Sequence, residues 1–127
     1  MRILDIKTTY RCNNLCQLCC QNRDLRQSNS DMTFNEAAEI IKKEIVLGVD
    51  KIVLTGGEPL LNKDILKIIS YAHDMSITTI QLQTNGRLLK DKSFLDDVIK
   101  AGVNEFGISL HGHTANIHEK FSNTESY

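Results

Sequence analysis

The chain reads as a parallel α/β fold, and three observations predict it. Segments with strand character alternate with segments of helical period in the order βαβαβαβ. Strands beginning near residues 51, 78 and 105 recur about every 27 positions, close to the size of one βα unit. Each strand also runs into a loop of unusual composition: CNNLCQLCC after the first, TGGEP after the second, QTNG after the third and SLHGH after the fourth.

The first strand covers residues 2–9, with Leu4, Ile6 and Thr8 on one face and Ile3, Asp5 and Lys7 on the other. A helix follows at about 33–47, where Phe34, Ala37, Ala38, Ile41 and Ile45 recur at helical spacing. Thr33 with Glu36 forms a capping-box pattern, and Gly48 stands at the stop. KIVLTGG, residues 51–57, is a short apolar run closed by two glycines, as in a strand buried on both faces of a parallel sheet. A second helix is expected over 62–75, with Asn62 as N-cap and Ile65, Ile68, Ile69 and Ala72 as its buried stripe. Residues 77–86 read as strand then turn, 92–102 as a third helix ending at Gly102, and 104–112 as a fourth strand. The first βα unit is longer than the others because it carries the cysteine loop and the polar stretch QNRDLRQSNSD, an excursion from the scaffold over residues 10–30.

Composition limits the functional classes. Fifteen basic against sixteen acidic residues leave a net charge of −1, so bulk charge supports neither a nucleic-acid partner nor a membrane surface. The opening MRILDIKTTY lacks the apolar core of a signal peptide, and no later stretch has the apolar length of a membrane span. A cytoplasmic location is therefore expected. There, clustered thiols hold metal or do redox chemistry more often than they form structural disulfides.

All four cysteines lie within nine positions: Cys12, Cys16, Cys19 and Cys20. Disulfides among them would close only tiny rings and remove little unfolded-state entropy. Zinc sites usually present two cysteine pairs a dozen or more residues apart, whereas this chain has one knot. A single short loop reaches three corners of a larger object such as a 4Fe–4S cubane more readily than it wraps one ion. A zinc site and unliganded thiols are the alternatives. In parallel α/β folds ligands bind at the carboxyl ends of the strands, so right-handed crossovers bring the four odd loops to one rim.

These residues carry a resemblance. Cys12-x3-Cys16-x2-Cys19 after the first strand, Gly56-Gly57-Glu58 after the second, then TNG and SLHGH in order, resemble the radical S-adenosylmethionine (SAM) superfamily. The branch is similar to that of the molybdenum-cofactor enzyme and the peptide maturases, and the resemblance covers essentially the whole chain. It implies a 4Fe–4S cluster held by Cys12, Cys16 and Cys19, SAM on the open iron, and reductive cleavage of SAM to a 5′-deoxyadenosyl radical that abstracts hydrogen from a substrate. By the same resemblance Gly56, Gly57 and Glu58 receive the methionine ammonium, Ser109 contacts the SAM ribose or methionine moiety, and Thr84 serves substrate or cofactor at the rim. An electron donor such as flavodoxin or ferredoxin and a small-molecule or peptide substrate are the implied partners. The other functional class in play is a non-catalytic iron–sulfur module for electron transfer or sensing.

The pattern departs from the family at Leu18, where an aromatic residue usually packs on adenine and only apolar contact is retained. Cys20 is extra and is expected to be passive and buried. His111 ends a strand at the rim and is a candidate for substrate or cofactor contact; with His113 and His118 it forms a loose set for which solvation or hydrogen bonding is the alternative to a second metal. Arg11, Arg23 and Arg26 flank the cysteine loop as a charged surface or as partners of an anionic cluster. The resemblance further implies a partial TIM-like barrel with about four of six βα units, residues 1–127 forming the N-terminal part of the core domain. HGHTANIHEKFSNTESY is expected to be a loop that stops before the next helix, and the remaining barrel is expected from further chain or a second molecule.

Overall fold

The computed structural model describes residues 1–21 and 31–125. Four parallel strands, β1 (Ile3–Thr9), β2 (Lys51–Gly56), β3 (Thr79–Thr84) and β4 (Glu105–Ile108), form one sheet in the order β1-β2-β3-β4. Helices α1 (Phe34–Val46), α2 (Ile65–Asp74) and α3 (Lys92–Ala101) are the crossovers, and α4 (Ala115–Ser122) follows β4. Neighbours in sequence are neighbours in the sheet, as expected for a winding (β/α) repeat. Among the described residues no strand pairs with the outer edge of β1 or of β4.

The alternation predicted for β1 holds: Ile6 and Thr8 are buried while Ile3, Asp5 and Lys7 are exposed. In register, Ile6, Leu54, Leu82 and Phe106 cross the sheet as one row. The first three of that row join Ile52, Ile80, Ile41, Ile68, Ile69 and Val98 in the core between sheet and helices. On the opposite face the row Asp5, Val53, Gln81, Glu105 is mostly polar, and Lys51 pairs with Glu105 across it. One face is thus committed to packing against helices, and the strand ends and loops are left for binding.

The capping box at α1 forms as read: Thr33 Oγ1 accepts from Glu36 N–H, and the Glu36 carboxylate accepts from Thr33 N–H at 2.8 Å. Gly48 follows α1 with φ +83°, a conformation glycine adopts without penalty.

Two expectations are corrected. Asn62 does not cap α2. Pro59 opens a 3₁₀ turn over Pro59–Leu61, and α2 starts only at Ile65. Asn62 instead accepts Asp64 N–H at 2.8 Å and donates its amide to Thr8 O and Met32 O at 2.7 and 2.8 Å, tying the end of β1 to the entrance of α1. The second correction concerns residues 111–125, which contain a helix rather than only a loop. Thr114 caps α4 by accepting Ile117 N–H, and Asn123, in the left-handed region, ends it. Its length of two turns and polar composition concealed it.

Candidate functional site

The expected loops do gather at the carboxyl end of the sheet. β1 ends at Thr9, three residues before Cys12; β2 ends in Gly56; β3 ends in Thr84; Ser109 follows β4 and donates its N–H to Thr84 O at 2.9 Å. A cavity of about 200 Å³ opens between them, and Cys12, Cys16, Cys19, Gly56, Gly57, Thr84, Ser109, His111 and Leu18 all line it. A larger hollow of about 620 Å³ along the ends of β3 and β4 shares Asn85 and Ser109 with it.

The glycines are required by closeness. A Cβ on Gly57 would lie 2.2 Å from Arg11 O and 2.5 Å from Tyr10 O, and one on Gly56 would lie 2.1 Å from Thr9 O. Gly57 N–H donates to Thr9 O at 2.8 Å and Glu58 N–H to Arg11 O at 2.7 Å, so the TGGE loop is pressed against the segment that leads to Cys12. Gly56 also holds φ +139°.

Glu58 is fully buried and is absent from the cavity lining. Its Oε1 accepts from Thr84 Oγ1 at 2.7 Å and Leu60 N–H at 3.2 Å, and its Oε2 accepts from Asn85 N–H at 2.8 Å. Burial raises its pKa above the ordinary glutamate range, while the hydrogen bonds from Asn85, Thr84 and Leu60 act in the opposite sense. The carboxylate stands behind the wall and holds Thr84 and Asn85 in place.

Each cysteine of the trio meets a nitrogen. Cys12 Sγ accepts from Asn14 N–H at 3.4 Å and faces the Asn85 amide at 3.9 Å; Cys19 Sγ accepts from Gln21 N–H at 3.4 Å; Cys16 Sγ faces His111 Nε2 at 3.7 Å. Cys20 is exposed at the cavity edge, contrary to the buried role expected of it. Leu18 is 84% exposed, an apolar side chain held at the rim.

Several residues that fix the loop were missed. Arg87, on the turn after β3, donates to Asn13 O and to Asn14 Oδ1, and Asn85 donates to Asn13 Oδ1 at 2.7 Å. From the other side Leu15 and Gln17 donate their N–H groups to Ser122 O and Phe121 O, the carbonyls ending α4. The two asparagines beside Cys12 were visible in the sequence, but their partners lie some 70 to 110 residues away. Arg11 pairs with Asp31, and Arg23 and Arg26 lie outside the described residues. His118 is buried in α4 and accepts the His111 N–H on Nδ1 at 3.0 Å; His113 is exposed.

The family model described as the radical SAM superfamily matches residues 6–127, and the chain belongs to that superfamily. It is 37% identical over 124 residues to a probable GTP 3′,8-cyclase of Methanocaldococcus jannaschii, covering 96% of this chain and 40% of that protein. It is 37% identical over 110 residues to a GTP 3′,8-cyclase of Clostridium botulinum, covering 84% of this chain and 34% of the relative. The chain therefore spans less than half the length of these curated relatives. Among solved structures, SuiB of Streptococcus suis bound to the precursor peptide SuiA superposes with a TM-score of 0.80 at 17% identity, over 96% of this chain and 27% of SuiB. BtrN, solved with AdoMet and 2-DOIA, gives a TM-score of 0.67 at 20% identity, over 84% of this chain and 44% of BtrN. These two likenesses establish the fold.

The chemistry of the donor set, three cysteine thiols carried by one short loop, suits a cluster of several irons. Among the described residues no three His, Cys, Asp or Glu side chains stand close enough together to hold one metal ion. The three cysteines instead line one cavity, and Cys12 and Cys19 each accept a backbone N–H of the kind that stabilises a ligating thiolate.

Proposed function

We propose that residues 1–127 form the N-terminal part of a radical SAM core domain that holds a 4Fe–4S cluster in the loop 10–30 and SAM against the TGGE wall. The observation that carries this reading is the single cavity in which Cys12, Cys16 and Cys19 meet Gly56, Gly57, Thr84 and Ser109. When bound, cluster and SAM together supply a 5′-deoxyadenosyl radical on one-electron reduction.

The protein's own part is binding and orientation. Cys12, Cys16 and Cys19 hold three irons, and Gly56 and Gly57 let backbone come close to the ligand. Ser109 offers a hydroxyl from the end of β4. Thr84 is engaged with Glu58, so Glu58 acts by holding Thr84 and Asn85 in place. Leu18 supplies apolar cover at the rim. The hollow along β3 and β4 is the place for a substrate, and the GTP named for the cyclase relatives is the first to test. A one-electron donor of the flavodoxin or ferredoxin class and the remaining strands of a barrel complete the proposal.

The test is anaerobic reconstitution of the full-length protein with iron and sulfide, followed by dithionite and SAM. Release of 5′-deoxyadenosine is expected, with loss on Cys12→Ala and retention on Cys20→Ala. A cluster whose spectrum SAM leaves unchanged, and with no SAM cleavage, would identify a non-catalytic module. Zinc at one equivalent per chain with no cluster assembly would overturn both readings.

A further inference from the structure

Among the groups facing the three cysteines, His111 has a supporting structure of its own. Its Nε2 lies 3.7 Å from Cys16 Sγ. Its backbone N–H is held at 3.0 Å by Nδ1 of His118, and the two imidazoles stack with centroids 5.5 Å apart at 25°. His118 is 2% exposed, so this support is seated in α4 and not in solvent. The turn after His111 is pressed onto the same helix, since a Cβ on Gly112 would lie 2.4 Å from Ile117 Cγ2. Backbone and following turn are therefore held against α4, and the exposed ring stacks on His118 with Nε2 facing the Cys16 sulfur.

A cysteine that ligates iron is a thiolate and carries no proton, so the nitrogen facing it must be the donor. An N–H···S bond stabilises the more negatively charged, reduced state of an iron–sulfur cluster more than the oxidised state, because it meets charge that grows on sulfur.

We infer that His111 is a positioning residue for electron transfer: it donates Nε2–H to the Cys16 sulfur from a mount built by His118 and α4, and so raises the reduction potential of the cluster. This rests on the cluster reading above. His111 touches a ligand of the cluster rather than substrate, so its effect belongs to the equilibrium between oxidised and reduced protein, which is measurable without turnover.

The experiment is a potentiometric titration, followed by electron paramagnetic resonance, of the reconstituted full-length protein and of His111→Ala and His111→Gln. His111→Ala is expected to move the one-electron equilibrium three- to tenfold toward the oxidised form, a tenfold change being 59 mV. His111→Gln, whose amide still donates, is expected to recover at least half of that shift. A His111→Ala midpoint within twofold of the parent overturns the inference, and so does a glutamine variant indistinguishable from alanine. A measurement on the unsubstituted protein covers variants that fail to hold a cluster: with ¹⁵N-labelled histidine, the reduced cluster should show a weak nitrogen coupling through the hydrogen bond, and absence of that coupling overturns the inference. Parent protein that takes up no iron and sulfide overturns the cluster reading itself and with it this inference. Loaded parent protein with no histidine effect overturns the inference alone.

Discussion

Replacing Gly57 by alanine tests the idea that the TGGE loop works by close approach. At this position the backbone is outside the left-handed region, so a methyl group adds no conformational strain and the effect is one of space. The added Cβ would lie 2.2 Å from Arg11 O, 2.5 Å from Tyr10 O and 2.7 Å from Arg11 C, where ordinary contact begins at 3.4 Å. All three are main-chain atoms and cannot swing aside. Relief requires the two segments to part by roughly 1 Å, which strains the bonds from Gly57 N–H to Thr9 O and from Glu58 N–H to Arg11 O. Two backbone hydrogen bonds at about 1 kcal/mol each, with about 1–3 kcal/mol for overpacking, give a loss of about 3–5 kcal/mol. Urea unfolding of the cluster-free protein, followed by circular dichroism, reads this as a lower midpoint at unchanged slope. Gly48→Ala is the comparison: its Cβ meets nothing within 4 Å, but φ is +83°, so about 1–2 kcal/mol of conformational penalty is expected. A Gly57→Ala loss smaller than that of Gly48→Ala would refute the reasoning.

Glu58→Gln should destabilise by about 1–3 kcal/mol, because whichever way the amide points, its NH2 faces Asn85 N–H or Leu60 N–H and a buried donor loses its partner. Its pH signature follows from the raised folded-state pKa: the folded protein binds the proton more tightly, so stability falls as pH rises from the unfolded glutamate range through the folded pKa and then levels, and the glutamine variant should lack that slope in urea titrations. Asp31 has the opposite sense. Its hydrogen bond from Arg11 lowers its pKa, so its contribution is present above the unfolded aspartate range and is lost as pH falls through the folded value; Asp31→Asn should flatten the acid limb of the stability curve. Thr33→Ala removes the N-cap acceptor of α1 and should cost about 1 kcal/mol in the same assay.

The scaffold was legible because it follows from local rules. The α1 capping box joins residues three apart, and the buried stripe of α2 repeats at helical spacing, so each could be read within one short window. The convergence of Cys12, Gly57, Thr84 and Ser109 was also accessible, since a parallel winding places every strand's carboxyl end on one side. Three features lay beyond that reach. Asn62 carries the composition of a cap but is engaged with Thr8 and Met32, partners decided by how β1 and α1 meet. The resemblance gave Glu58 a role toward the methionine ammonium, but its enclosure by three donors is a product of folding that the motif does not show. Arg87 sits in an unremarkable turn and acquires its role only because Asn13 and Asn14 arrive above it.

The grip of α4 on Leu15 and Gln17 sets an order of events. Those carbonyls belong to residues made about a hundred positions after the loop they restrain, and closing so long a span is a slow, entropically costly step relative to forming a local turn. A growing chain thus presents its thiols well before it can seat them. Under the proposed cluster reading, metal incorporation would follow the docking of α4, and conditions that keep iron and oxidants away from the nascent loop should favour correct loading.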